Sequence, residues 1–514
     1  MISGLRNAGR LLLLARLLAR HDALFVLERF AVGRLLLWVT RPLARRAAAN
    51  QPALRPGQRL ALALQDAGPS FVKFGQALAS RSDLLGEELA RDLASLQDRL
   101  PPFPFAQVRV TIEEEFGQPL EKMFRSFEQQ PVAAASIAQV HFAIDTEGRE
   151  VAVKVLRPGI EKAFARDLEL FFWIGRNAEA NLRTLRRLRL LESLETLAKT
   201  VVVEMDLRFE AAAACELADN FRGDRSFFVP AVDWTRTGRR VLTTERVAGL
   251  RIDERAAVIA AGHDPRAVLT KAAEAFFFQV FRDGFFHGDL HAGNLFVRAD
   301  GSVAAVDFGI MGRIDRSTRR HLGEMLLAFL TRNWRRAAEV HFEAGWVPSD
   351  HSLDAFAQAC RSIAEPIMDK PQNEISVARL LGQLFQVTET FAMETQPQLL
   401  LLQKTMLVAE GTGRTLAPEA NMWLLARPLI ESWCAETLGP QARMREAATD
   451  VAAALSRLPA LVRRAEHGFA TLAEGRLKID AENLRQAHGP MNGTYAGWLA
   501  AALLAGIVIG MLAG

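Results

Sequence analysis

A chain of 514 residues, 50% hydrophobic and 24% charged, carries enough apolar surface for more than one folded domain and is not a disordered polymer. Its net charge of +4 and pI of about 9.1 are modest for this length, and no dense array of Lys, Arg and aromatic residues marks a nucleic-acid surface. Cys215, Cys360 and Cys434 are far apart and form no C-x-x-C pair, which argues against a disulfide framework or a zinc site and for a reducing compartment.

From the amino terminus, residues 1–54 alternate Leu-rich runs with arginine. Arg6, Arg10, Arg16 and Arg20 interrupt any spanning segment, so the pattern predicts amphipathic helices able to lie on an anionic lipid surface. An ordinary helical pair packed on the body is the alternative, and a small-residue cleavage site of a secretory signal does not follow. Pro69 is placed to start a helix through Lys73-Phe74-Gly75-Gln76, on which Lys73 and Gln76 share a face. Taken alone, that face is a solvated stripe.

Residues 131–141, P-V-A-A-A-S-I-A-Q-V-H, read alone as a small-residue strand and turn. Asp145 to Gly148 form a turn, and 150–155 a strand in which Lys154 is flanked by alternating apolar residues. A lysine there is costly to bury without an anion. The segment Glu204-Met205-Asp206-Leu207-Arg208-Phe209-Glu210 supplies carboxylates on a helix, with Asp206 and Glu210 one turn apart on one face and Glu204 pointing elsewhere. Residues 227–234 and 239–247 read as two more strands, completing a small lobe and leading into a hinge around 244–247.

A helix rich in Ala and Phe, 265–281, leads into Phe285-Phe286-His287-Gly288-Asp289-Leu290-His291-Ala292-Gly293-Asn294, and a short apolar strand precedes Asp307-Phe308-Gly309. This resembles the catalytic core of a kinase. Asp289 and Asn294 have the spacing of the catalytic loop, in which the Asp orients or deprotonates the acceptor and the Asn holds a metal; Asp307 is the second metal ligand. His287 and His291, taken singly, are ordinary hydrogen-bonded histidines. The helical pattern resumes at Arg313, leaving no room for a long activation segment ending in A-P-E, so peptide docking is not expected.

Residues 335 to about 480 read as further helices that offer packing and no site chemistry. Residues 496–513 form an uncharged run of the length that crosses a bilayer, with Gly506, Gly510 and Gly514 spaced for helix pairing. Arg476, Lys478 and Arg485 on its amino-terminal side place the body in the cytoplasm.

K-F-G-Q resembles the K-x-G-Q signature of the UbiB family, atypical protein-kinase-like proteins tied to ubiquinone biosynthesis. The resemblance spans roughly residues 55–345 through several ordered motifs. It makes Ala133, Ala134, Ala135 and Ser136 an alanine-rich loop in place of the glycine-rich phosphate loop, limiting positive φ near the nucleotide. Lys154 then matches the lysine that binds the α- and β-phosphates, and Glu210 is its partner. Glu204 and Asp206 contact the helix carrying Lys73 and Gln76 or the metal region, and that helix covers the place where a protein substrate would bind.

The expected fold is therefore α+β: a two-lobed protein-kinase-like fold with a helical amino-terminal extension, extra carboxyl-terminal helices and a transmembrane helix. Its parts are amphipathic helices, 1–54; the K-x-G-Q extension, 55–130; an N-lobe, 131–248; a C-lobe, 249–345; a helical region, 346–490; and the span, 495–513. The expected activity is ATP-dependent, as an ATPase or atypical kinase with Mg2+, supporting ubiquinone biosynthesis at the inner membrane. Its partners would be membrane lipids, quinone precursors and other ubiquinone-biosynthesis enzymes, with dimerisation through the last helix and no nucleic acid. Rival readings are a small-molecule kinase of the aminoglycoside or choline kinase type, which lacks K-x-G-Q, and a non-catalytic nucleotide-binding scaffold. No ligand set for flavin or iron is present to support direct ring hydroxylation.

Overall fold

The computed structural model describes residues 2–25, 54–79, 87–94, 96, 101–181, 190–368, 383, 386–388, 390–393, 397–420 and 422–438. The chain divides into two compact units, Met1–Ala435 and Glu436–Gly514, and all the residues described below except 436–438, the end of one helix, belong to the first.

Helices α1 (Ile2–Arg20), α2 (Pro56–Ala67), α3 (Pro69–Ala79), α4 (Glu87–Ala94), α5 (Phe105–Phe116) and the short α6 (Leu120–Met123) precede the first strand. Pro56 and Pro69 sit where a helix has no use for the missing N–H. Gly68, at φ 110, turns the chain between α2 and α3, an angle that side chains resist. Leu18, Leu60, Leu64, Phe71 and Leu93 bury one face of α1–α4 against Leu170 and Phe171. Of the 1–54 segment, α1 thus packs on the body along one side while Leu13 stays exposed; 26–53 lie outside the described residues.

The N-lobe sheet consists of β1 (Phe124–Phe127), β2 (Ala133–Ala134), β3 (Ala138–Asp145), β4 (Glu150–Leu156) and, later in the chain, Val241–Glu245. Its order is β1, β3, β4, then Val241–Glu245, with β2 also on β3. The sheet therefore starts before residue 131, because Phe124 and Phe127 are paired with β3 and packed beneath it. On β4 the two-residue side-chain period sends Val151, Val153 and Val155 into the core under α5 and Lys154 to the opposite face. Three helices follow: α7 (Ile160–Asn181), α8 (Leu190–Glu204) and α9 (Leu207–Asn220).

Residues 227–234 add no full strand to this sheet: they join it by a single antiparallel bridge, Val232 to Thr244, with the Glu245 N–H donating to the Ala231 carbonyl at 2.8 Å. Only β5 (Phe227–Phe228) is a strand, and it pairs in parallel with β10 of the C-lobe, Val303–Ala305. Asp233 then accepts from the backbone N–H groups of Thr235 and Arg236, and this cap favours a 3-10 turn over a strand. Val241–Glu245, β6, is the N-lobe strand that the second apolar run predicts.

The C-lobe continues with β7 (Leu250–Arg251), α10 (Arg255–Ala260), α11 (Pro265–Phe277), a widened turn over Phe278–Asp283, β8 (Phe285–His287), β9 (Leu295–Val297), β10 and β11 (Met311–Arg313). Strands β5, β10, β9 and β7 form one sheet and β8 pairs with β11, so two hairpin-like pairs hold the two motif loops beside each other. Only Ile314 and Asp315 separate β11 from α12 (Arg316–Leu330), which Asp315 caps. Helices α13 (Trp334–Glu343), α14 (Leu353–Ala364), α15 (Pro397–Leu416) and α16 (Met422–Leu438) follow, and Leu416, Ala417 and Ala420 enter the C-lobe core with Phe285, Leu290 and Phe308. The 495–513 span lies outside the described residues, and among those described no helix is long and apolar enough to cross a membrane.

Candidate active site

Three elements meet at Lys154. Its ammonium lies 2.8 and 2.9 Å from the two carboxylate oxygens of Glu210 on α9, and 2.8 Å from Asp307 Oδ1. Glu210 stands in the first turn of α9, where the helix dipole favours a carboxylate. Asp307 adopts φ 64, a strained angle for a residue with a side chain, fixed where β10 ends.

Burial opposes a charged amine, yet the two carboxylates hold Lys154 protonated, well above the ordinary lysine range. Loss of solvent also opposes ionisation of Asp307, but Lys154 keeps its pKa well below that of a usual carboxylate, and 48% of its side chain remains open to the cleft. Glu210 is 8% exposed, and burial pushes it up to about 7 against the pull of the same lysine. Two carboxylates share one ammonium, so the more buried one takes a proton first.

The catalytic loop is held from behind by His287, which is fully buried. The Asp289 N–H donates to His287 Nδ1 at 3.0 Å, which fixes the ring proton on Nε2, and Nε2 donates to the Val306 carbonyl at 3.2 Å. Burial pushes this imidazole's pKa down, in keeping with a neutral ring that bridges the two motifs. Asn294 Nδ2 donates to the Asp289 carbonyl at 3.1 Å, which leaves Oδ1 as its oxygen for a cation. Asp307 and Asn294 are hard oxygen donors of the kind magnesium takes. Among the described residues no cluster of three His, Cys, Asp or Glu would hold a metal unaided, so phosphate oxygens would complete its shell.

Ala133 and Ala134 form β2, paired with Val140 and Gln139, and Ala135 and Ser136 make the turn into β3. The Ala135 carbonyl accepts from Arg157 at 3.0 Å, and the Ser136 hydroxyl is buried without a hydrogen-bond partner. These residues form a strand and turn, as they read alone, and β3 lies between them and β4, which carries Lys154.

The K-x-G-Q helix docks beside this cleft. Lys73 Nζ lies 3.1 Å from Glu204 Oε2, both largely buried. Phe74 stacks on Phe171 of α7, with centroids 4.4 Å apart. A methyl on Gly75 would lie 2.5 Å from Leu96 and 2.7 Å from Leu64, so glycine is what lets α3 approach α2. Gln76 Nε2 donates to the Leu96 carbonyl at 3.4 Å, a contact that docks the helix.

Asp206 departs from expectation. The chain breaks between α8 and α9, and Asp206 caps α9 by accepting from the Arg208 N–H at 3.2 Å while its carboxylate pairs with the Arg208 guanidinium at 2.6 Å. Among the described residues it makes no hydrogen bond or ion pair to Lys73, Asn294 or Asp307, and as the cap it stands ahead of the helix whose face carries Glu210. The signal was present: Asp ahead of an apolar helical run is an N-cap pattern.

One site residue was not anticipated. Lys404, on α15, places Nζ 3.3 Å from Asp289 Oδ1, although residues 335–480 promised only packing. A groove of about 660 Å³ between α5 and the start of α7 is lined by none of the cleft residues named above.

Residues 95–341 match the ABC1 atypical kinase-like domain and residues 360–421 the UbiB helical domain. The chain belongs to the ABC1/UbiB family of atypical kinase-like proteins. It is 43% identical over 394 residues to a probable protein kinase UbiB of Marinobacter nauticus, covering 76% of this chain and 72% of that one. It is 42% identical over 418 residues to the Azotobacter vinelandii protein of the same name, covering 80% and 77%. Among solved structures, Rv3197 of Mycobacterium tuberculosis, determined in complex with erythromycin, superposes with a TM-score of 0.51 at 25% identity, covering 76% of this chain and 98% of that one. The second matched domain contains α15 and Lys404, so the helical region belongs to the family's architecture.

Proposed function

We propose that this chain is an ATP-dependent phosphoryl-transfer protein, an ATPase or a kinase of a small lipid-like acceptor, that supports ubiquinone biosynthesis at the cytoplasmic face of the inner membrane. The observation that carries it is Lys154 bridging Glu210 and Asp307, with Asp289 and Asn294 on the adjoining loop. Lys154 would hold the α- and β-phosphates, Asp289 would orient or deprotonate the acceptor, and Asn294 and Asp307 would hold the metal. Magnesium, when bound, neutralises phosphate charge and fixes the geometry of transfer.

A small acceptor or water is favoured over a peptide for two reasons. The two-residue passage from β11 to α12 offers no long segment for peptide docking, and α3, tied by Lys73 to Glu204, occupies the cleft's flank. Family membership and the membrane-type run at 496–513 support the quinone and membrane parts of the reading.

The test is complementation of a bacterial strain lacking its own member of the family. The wild-type chain should restore quinone levels, and Asp289→Asn and Asp307→Asn should not. Full restoration by either variant contradicts the reading.

A further inference from the structure

We propose that Lys404 is the cation that faces the transferring phosphoryl group, supplied to the catalytic loop by the carboxyl-terminal helical region. The inference rests on the phosphoryl-transfer reading above. In such a transfer, charge spreads over the oxygens of the moving phosphoryl group and requires a nearby positive group. From Phe285 to Asn294 the loop has no Lys or Arg. Lys154 is already divided between Glu210 and Asp307, and Arg313 is engaged by Glu216 at 2.6 Å. His291 Nε2 stands 3.8 Å from Asp289 Oδ2 but is charged only when protonated. Among the described residues, the permanent cation that reaches Asp289 is Lys404.

Magnitudes separate this contact from a structural clamp. Strong charged hydrogen bonds run about 2.7–2.9 Å, and half-exposed ion pairs contribute roughly 0–1 kcal/mol. Lys404 sits at 3.3 Å with 54% of its side chain exposed, whereas Lys154 makes three bonds below 3.0 Å at 16% exposure. The helix is held in place by other groups. Thr405 is wholly buried, a methyl added to Gly288 would lie 3.1 Å from Leu401, and the Leu416 carbonyl accepts from Arg255 at 3.0 Å. A firmly packed helix thus carries a loosely paired ammonium to the acceptor carboxylate.

In the transfer, the acceptor oxygen bonds to the γ-phosphorus, and the bond to the bridging oxygen breaks with its electron pair left on ADP. The acceptor proton passes to Asp289. Lys404 keeps its own proton and turns from Asp289 to the γ-phosphoryl oxygens.

The experiment compares binding of ADP and of a non-hydrolysable ATP analogue, each with magnesium, to the full chain, together with phosphate release and thermal unfolding. Lys404→Met should weaken the analogue by roughly tenfold and leave ADP within about twofold, with kcat falling more than KM changes. Lys404→Arg should keep most of the discrimination between the two nucleotides. Equal loss for both nucleotides in Lys404→Met, or no change in either, overturns the proposal. Faster phosphate release from Lys404→Met also overturns it, since the lysine would then restrain Asp289. Should Lys404→Met unfold, Lys404→Arg decides: retained preference for the analogue supports the assignment and lost preference overturns it. Asp307→Asn run in parallel separates the two levels. An inactive Asp307→Asn beside a wild-type-like Lys404→Met sinks only the lysine's role, whereas an active Asp307→Asn sinks the phosphoryl-transfer reading.

Discussion

Lys154 and Glu210 form a two-pronged ion pair, 2.8 and 2.9 Å, between the N-lobe sheet and the first turn of α9. Both side chains are mostly buried, at 16% and 8% exposure. Removing one partner of such a pair costs about 3–5 kcal/mol because the other charge is stranded, whereas replacing both by apolar groups is often neutral. Lys154→Met alone should therefore lower the melting temperature clearly, and Lys154→Met with Glu210→Leu should recover much of the loss while remaining inactive. Thermal unfolding beside phosphate release reads both. A double variant less stable than the single one would mean that the pair itself holds the lobe together.

The Lys73–Glu204 contact is a second clamp of the same kind, 12% and 10% exposed. Lys73→Met should destabilise the packing of α3, and adding Glu204→Gln should offset part of the loss. Hydrogen exchange over 69–79 reports on it directly. Unchanged protection in Lys73→Met would remove the lysine from the docking of the K-x-G-Q helix.

His341 bears on acid stability. It is 8% exposed and donates from Nδ1 to the Ala337 carbonyl at 2.7 Å, and burial pushes its pKa down. The unfolded chain then binds a proton that the folded chain refuses. Stability is full above the unfolded value of about 6.5 and falls as pH drops from there toward the folded pKa. His341→Phe should flatten the decline in denaturant midpoint between about pH 6.5 and 5. An identical slope in the variant would assign the decline to other groups.

Gly312 on β11 lies against the ring of Phe286, which is fully buried one residue before His287. A methyl there meets the ring, and overpacking of this kind costs roughly 1–3 kcal/mol. Gly312→Ala should lower stability and disturb the catalytic loop, which denaturant unfolding would register. A neutral result would mean that Phe286 has room to rotate.

What could be read in the sequence was what lies close together along the chain. Asp289, Asn294 and Asp307 fall within nineteen positions and their chemistry constrains their spacing, while strand alternation placed Lys154 opposite Val153 and Val155. Glu210 needed the family resemblance, since nothing local says which carboxylate reaches β4. Asp206 was misplaced because the helix was read through a break that Asp206 itself caps. The parallel pairing of Phe227–Phe228 with β10 and the arrival of Lys404 at Asp289, 115 residues away, depend on tertiary docking, which apolar periodicity along one segment does not encode.

On the proposed function, this cleft cleaves or transfers the γ-phosphate of ATP with Asp307 as a metal ligand. Phosphate release from the wild-type chain and from Asp307→Asn, in liposomes with phenolic quinone-precursor mimics and Mg-ATP, decides it. The predicted result is release by the wild type that falls by about a hundredfold or more in Asp307→Asn. Equal release from both, or none from a wild type that binds the nucleotide, would contradict it.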